Sequence, residues 1–140
     1  MTRIDFYTQV DDAQGFACRL AQTVFRKGER LLILFDTRDE LSAFSRRLWS
    51  LGDTLFVPHC AVGAAEAADT PIWLACGQAP AQAPSVLLNL ARELPDRYAD
   101  FSRILEIVGR DDASLAVARE RFRVYRAHGC AIEHHDMSHA

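Results

Sequence analysis

The sequence predicts a three-layer α/β fold, in which a mostly parallel sheet carries helices on both faces. Strand patterns alternate with helical patterns along the chain, which is the arrangement that parallel sheets require. The run LLILF at residues 31–35 is apolar on both faces, as expected of a central strand covered on two sides. The 140 residues, 49% of them hydrophobic, suffice for one core, so we expect a single domain over residues 1–140.

The individual elements follow from apolar periodicity and from the residues that punctuate it. Each predicted helix starts after an Asp or Thr that can cap it, and a glycine follows its end. These helices run between residues 11–12 and 28, between 36–37 and 52, and from 111–112 to about 128, with a helical turn at 96–101. The predicted strands span 3–8, 31–35, 53–57, 71–75, 86–90, 103–108 and 130–133, and a proline-rich loop occupies 77–84.

Charge and hydropathy exclude several classes of protein. Nineteen acidic against 16 basic residues give a net charge of −3, which disfavours a dedicated nucleic-acid binder. The longest apolar runs have five residues, too few to span a bilayer, and the N terminus lacks the apolar stretch of a signal peptide. We therefore expect a cytoplasmic protein that binds neither membrane nor nucleic acid directly.

Metal and disulfide sites have little support. The four cysteines contain no C-x-x-C pair, so we expect buried, reduced thiols. His134, His135 and His139 with Asp136 could collect a metal, but a frayed tail cannot hold ligands in place. We expect no metal site and no function for the tail.

Catalytic and phosphate-binding motifs are absent from the sequence. A Rossmann-like sheet invites a nucleotide, yet the chain after the first strand, QVDDAQG at 9–15, has one glycine and two carboxylates. Neither G-K-[ST] nor G-x-S-x-G occurs. We expect isolated carboxylates such as Glu93 and Glu106 to face solvent, and we expect no catalytic residue and no cofactor.

The third predicted helix carries a basic stripe. Arg119, Phe122, Arg123 and Arg126 lie at i, i+3, i+4 and i+7, on one side of the helix, beside a core-facing row. Like charges at these offsets repel unless an anion is expected there. The stripe is either a solvated basic face whose aromatic belongs to the core, or an apolar notch rimmed by arginines that suits an acidic peptide with a free C-terminal carboxylate.

A second candidate surface combines large apolar residues around the end of the second helix. Trp49, Phe56 and Pro58 are core residues or an apolar interface patch. Pro58 cannot donate to a sheet ladder, which favours an edge strand to which a partner could bind.

The chain resembles the chi subunit of bacterial DNA polymerase III holoenzyme along nearly its whole length. The most specific pieces are FVPH at 56–59 and ARERFRVYR at 118–126. The other pieces, in order along the chain, are FY at 6–7, KG at 27–28, LW at 48–49, the strand after Pro71, NL at 89–90 and Gly129. The resemblance implies a non-catalytic replisome adaptor with an α/β fold and no known nucleotide site.

The resemblance also implies two partners. The acidic C-terminal tail of single-stranded-DNA-binding protein would bind a site whose residues are Val108 as apolar floor, Arg119, Phe122, Arg123 and Arg126. The psi subunit of the clamp-loader complex would bind Trp49, Phe56, Pro58 and His59, a surface that some members use for a repair helicase. Phe122 stands where a tyrosine is common and Leu115 where some members place a lysine.

Two other functions stay open at this point. One is a small nucleotide-binding or enzymatic α/β domain, against which the missing glycine motifs argue. The other is direct binding of single-stranded DNA through the arginine helix, against which the net charge and the lack of interleaved exposed aromatic residues argue.

Overall fold

A computed structural model describes residues 2–49, 59–61, 71–76, 84–92, 94 and 98–138, with the backbone alone at 49 and 59–61. Its strands are β1 (Arg3–Val10), β2 (Leu31–Phe35), β3 (His59–Ala61), β4 (Ile72–Cys76), β5 (Val86–Asn89), β6 (Arg103–Gly109) and β7 (Ala131–Asp136). Its helices are α1 (Ala13–Arg26), α2 (Arg38–Trp49) and α3 (Asp112–Ala127), and Tyr98–Asp100 form a 3₁₀ turn.

The described strands form one seven-stranded sheet in the order β3-β4-β2-β5-β6-β1-β7. Each neighbouring pair of described strands is parallel, so the expectation of a mostly parallel sheet is confirmed. The two edges are β3 and β7. They lie at opposite ends of the sheet, a separation of six strand spacings or about 29 Å.

Helices cover both faces of the sheet. On one face, α1 and α2 pack on a cluster that includes Leu31, Ile33 and Leu74. On the other face, α3 packs on a cluster that includes Leu32 and Leu34. Consecutive residues of β2 thus enter different cores, and all five are buried. The three-layer architecture predicted from the sequence is confirmed.

The helix ends match the predicted signals. The side chains of Asp12 and Asp111 cap α1 and α3 by accepting hydrogen bonds from the backbone N–H of Gly15 and Ser114. Gly28 and Gly129 follow the ends of these two helices with φ of 75° and 73°, a conformation that favours glycine. Within the described residues, no helix is long and apolar enough to cross a membrane.

Two sequence expectations need comment. The predicted strand at 53–57 lies outside the described residues, and the described edge strand instead occupies His59–Ala61. The predicted strand at 130–133 is confirmed as part of β7, whereas the expectation of a frayed tail is wrong for residues 134–136, because they extend β7 and pair in parallel with β1. The strand continues beyond the predicted limit of residue 133 because the backbone of β1 offers partners as far as Thr8.

Candidate protein-binding site on the last helix

The core-facing side of α3 is formed by the predicted row of residues. Tyr125 is fully buried, and Leu115, Ala118 and Phe122 pack half-buried against the same apolar cluster. This side holds the helix on β6 and β7. The orientation of α3 therefore determines which of its arginines face solvent.

Three arginines of the stripe are exposed. Arg123 is 78% exposed and makes an ion pair with Glu120, 3.7 Å between Nη1 and Oε2, which stabilises such surface pairs only weakly. Arg119 and Arg126 make no ion pair with any residue that the structure describes. The stripe therefore presents positive charge that the described part of the chain leaves largely uncompensated.

An aromatic notch borders this stripe. The ring of Phe122 is half-buried, with its centroid 6.4 Å from that of Phe6 on β1 and 5.6 Å from that of His134 on β7. Phe6 is almost completely buried, so it forms the base of this three-ring group. The structure thus brings Phe122 and the exposed arginines to the same side of α3.

Arg121 was not predicted as a special residue, and the structure buries it. Only 8% exposed, its guanidinium donates to a Glu106 carboxylate oxygen and to the carbonyl oxygen of Ala91, while the Tyr125 hydroxyl donates to the other Glu106 oxygen. Its position, three residues after Ala118 and four before Tyr125, already places it on the core side of the helix. This spacing is the feature of the sequence from which the burial of Arg121 could have been predicted.

The expectation that Glu106 faces solvent is wrong. Its side chain is buried on β6, and burial raises its pKa even though Arg121, Tyr125 and Asn89 oppose that change. The pKa of Tyr125 is also raised, by burial and by the adjacent negative charge, so the hydroxyl stays a neutral donor. Glu93 lies outside the described residues.

Val108 and the arginines of the stripe do not line a common cavity in the described part of the chain. Val108 is buried at the end of β6 and lines a cavity of about 520 Å³ together with Val117, Ala118 and Arg121. Arg119 and the other stripe arginines do not line this cavity. Val108 belongs to the buried apolar cluster against which Phe122 packs. The two residues are therefore part of the same core, but they do not line one open pocket.

The second predicted surface is described only in part. Trp49 is the last residue of α2, and His59 is the first residue of β3 at the edge of the sheet. Phe56 and Pro58 lie outside the described residues. β3, which begins at His59, is an edge strand of the described sheet, while the expected edge position of Pro58 itself stays a prediction.

The crevice where nucleotides bind in such sheets lies between the carboxyl ends of β1 and β6, whose following helices cover opposite faces. Here both helix N termini are already capped by their own aspartates. Arg110 pairs with Asp11 across the crevice, 2.9 Å between Nε and Oδ1. One backbone donor at each helix N terminus and the guanidinium of Arg110 are therefore already engaged, and the capping aspartates place negative charge where a phosphate would bind.

A polar cluster occupies the other face of β1 and β7. The ligand atoms of Asp5, Glu133 and His135 lie within 4.8 Å of one another, close enough to hold a cation. Asp5, however, already pairs with Arg103 at 2.7 Å and Arg3 at 3.3 Å, and Arg3 also pairs with Glu133. These arginines supply the positive charge that a metal ion would bring.

Helix N termini that are capped by aspartates, and an exposed arginine surface beside an aromatic notch, favour a protein that binds other proteins over one that binds a phosphate. The comparisons with known proteins identify which family this is. The model of the DNA polymerase III chi subunit family (HolC) matches residues 1–133. The chain is 34% identical to DNA polymerase III subunit chi of Pseudomonas aeruginosa, over 98% of each chain.

Two further relatives carry the same name. The subunit of Haemophilus influenzae is 36% identical over 83% of this chain and 81% of the relative, and that of Escherichia coli is 26% identical over 90% and 88%. The chain therefore belongs to the DNA polymerase III chi subunit family, which is a family of accessory rather than catalytic replication subunits. The resemblance inferred from the sequence is confirmed.

Proposed function

We propose that the chain links two partners in the replisome, the acidic C-terminal tail of single-stranded-DNA-binding protein and the psi subunit of the clamp-loader complex. The observation that carries the first contact is the exposed arginine stripe beside the half-buried ring of Phe122. In a chain of net charge −3, a local group of arginines favours an acidic peptide over a nucleic-acid backbone.

The tail contact combines two kinds of interaction. An exposed guanidinium such as that of Arg119 can hold a terminal carboxylate through two parallel hydrogen bonds. The notch at Phe122 offers apolar surface to an aromatic side chain next to that carboxylate. Leu115, half-buried one turn before Arg119, extends the apolar surface rather than adding charge.

The psi contact would use Trp49, Phe56, Pro58 and His59. What supports it is the location of β3, which begins at His59, on the sheet edge opposite β7. Because α3 packs against β6 and β7, a partner on the stripe and a partner at β3 would not compete for the same surface. Simultaneous binding is the mechanism of bridging. The same surface could receive a repair helicase in place of the psi subunit.

The tail contact is tested by fluorescence anisotropy of a labelled acidic peptide that ends in proline-phenylalanine with a free carboxylate. Arg119→Ala should cost on the order of 2–5 kcal/mol of binding free energy, since it leaves a carboxylate without its partner. The matched control is Arg26→Ala, an exposed arginine in the last turn of α1 on the other face of the sheet, which should bind as the wild type does. Equal losses in both variants would contradict the assignment.

The bridge is tested by adding purified psi subunit to the peptide titration. We expect the peptide affinity to be unchanged and both ligands to migrate with the chain in one complex. Trp49→Ala combined with Phe56→Ala should remove the psi subunit and leave peptide binding intact. Displacement of the peptide by the psi subunit would show that the two contacts overlap and would contradict bridging.

A further inference from the structure

His134 lies in the aromatic notch, on the α3 side of the sheet. It sits on β7 directly opposite Phe6 in the β1 register. Its ring stacks on that of Phe6, with centroids 5.4 Å apart and planes 15° apart, and lies 5.6 Å from Phe122. Phe6 is buried, whereas exposed His134 and half-buried Phe122 pack against each other and form the accessible part of the notch.

The two neighbouring histidines of β7 differ in how they are engaged. His135 points to the other face of the sheet, where its Nε2 lies 2.9 Å from Asp5 Oδ1. Neither ring nitrogen of His134 has a hydrogen-bond partner among the residues that the structure describes. Phe6 covers one face of the imidazole, but the side chain as a whole is exposed, so the ring edge that carries both nitrogens can be reached by a ligand.

The charges around the notch favour an anionic ligand. The stripe on α3 contributes Arg119, Arg123 and Arg126, and its one acidic neighbour, Glu120, pairs with Arg123. On β7, Glu133 pairs with Arg3 near the Asp5 cluster on the opposite face. Asp136 lies two residues along β7 from His134, and its Oδ1 accepts a hydrogen bond from the backbone N–H of Ser138. The three arginines of the stripe outnumber this acid, so a carboxylate at the notch meets a net positive charge.

We propose that His134 is a further binding residue for the acidic tail, and this inference rests on the proposed function. The face of its imidazole forms a wall against the terminal aromatic ring of the peptide. Its edge donates an N–H to a peptide carboxylate. Sequence patterns do not indicate this role, because β7 comes after α3 in the chain and only the sheet brings His134 beside Phe122.

The test compares His134→Ala and His134→Gln with a matched histidine control, His128→Gln. His128 is also exposed, but its ring contacts Tyr98 and its Nδ1 lies 2.9 Å from the Val124 carbonyl oxygen. In the anisotropy assay, His134→Ala should weaken peptide binding about 5- to 30-fold, the effect of one lost charged hydrogen bond and its packing. His134→Gln keeps a donor and should lose less, and His128→Gln should bind as the wild type does.

A second measurement uses the unmodified chain. Adding the peptide should shift the imidazole ring signals of His134 in NMR spectra and leave those of His128 unchanged. A peptide whose terminal phenylalanine is replaced by alanine should bind weakly, and His134→Ala should then reduce its affinity less than it reduces that of the original peptide.

The outcomes separate this inference from the proposed function. If the wild type binds the peptide and His134→Ala binds it equally well, the role of His134 is wrong while tail binding stands. If the folded wild type does not bind the peptide at all, both proposals are wrong.

Discussion

Arg121 and the other arginines of α3 lie within eight residues of one another in sequence but have different environments. Arg121 is 8% exposed and satisfies a buried carboxylate, whereas Arg123 is 78% exposed and pairs only with a surface glutamate. Arg119 and Arg126 are exposed as well. The difference comes from helical position alone, since residue 121 lies on the same side as Tyr125 and residues 119, 123 and 126 do not.

This comparison separates stability from binding on a single helix. The buried guanidinium of Arg121 neutralises the buried carboxylate of Glu106, so removing it leaves an uncompensated charge in the core. A guanidinium in solvent adds little to folding and is available to a ligand. From their burial we expect substitutions at Arg121 to change stability and substitutions at the exposed arginines to change binding.

The largest expected effect comes from Arg121→Met. The substitution leaves Glu106 buried without its cation, so we expect the free energy of unfolding to fall by about 3–5 kcal/mol. Urea denaturation at neutral pH measures it. The matched control, Arg123→Met, should change the free energy of unfolding by less than about 0.5 kcal/mol.

The double variant Arg121→Met with Glu106→Leu sharpens the same test. Replacing a buried ion pair by apolar residues of similar volume is often neutral, so most of the lost stability should return. If the double variant is no more stable than Arg121→Met, the loss comes from packing rather than from the unpaired carboxylate.

Tyr125→Phe should have the next largest effect. It keeps the buried ring and removes only the hydroxyl that donates to Glu106, so we expect a loss of about 1.5–3 kcal/mol, the range for a hydrogen bond to a charged group. Urea denaturation measures it, and peptide affinity should not change. A loss of affinity would place Tyr125 in the binding site and would contradict the separation.

Asp5 provides a pH-dependent comparison with the exposed acids. Burial alone would raise its pKa, but the hydrogen bonds from His135 and Arg103 and the charges of Arg103 and Arg3 hold it below its ordinary value of 3.8. The native state therefore binds fewer protons than the unfolded state, and this stabilisation, complete above about pH 4, is lost as the pH falls through the native pKa. Unfolding followed from pH 7 to pH 3 measures it.

The control for that experiment is Asp5→Asn. The variant should be less stable than the wild type at pH 7, because Arg3 and Arg103 no longer have the negative charge with which they pair. Its stability should fall less on acidification. If both proteins lose the same free energy of unfolding between pH 7 and pH 3, Asp5 is not the group responsible.

The sequence was sufficient to predict the fold class and most elements, since those depend on local periodicity. The strand LLILF is recognisable because both of its faces are apolar, and α3 because Asp111 and Gly129 bracket an apolar row. The strand order was not predictable, because it depends on which strands pair across long stretches of chain. The contact of His135 with Asp5 joins residues that are 130 positions apart in the sequence. Local patterns do not reveal such a contact, and the segment from residue 134 is therefore predicted to be frayed.

The candidate site was predictable only where one element carries it. The arginine stripe follows from α3 alone, whereas the burial of Glu106 depends on Arg121 from a different element. His134 completes the notch through β7, which the sequence does not link to Phe122. Charged residues inside the core were missed because residue type alone places them in solvent.

The smallest expected effect is that of Arg123→Ala on both stability and binding. Its exposed ion pair with Glu120 contributes at most about 0.5 kcal/mol, so the free energy of unfolding should barely change. As a rim charge, it should mainly alter the salt dependence of peptide affinity, which anisotropy titrations at increasing ionic strength measure. Arg119→Ala, in contrast, should reduce affinity at every salt concentration. If both variants lose affinity equally and with the same salt dependence, Arg119 and Arg123 attract the peptide only through their combined positive charge. The buried Arg121 would then still differ from the exposed arginines, but the exposed arginines would not differ from one another.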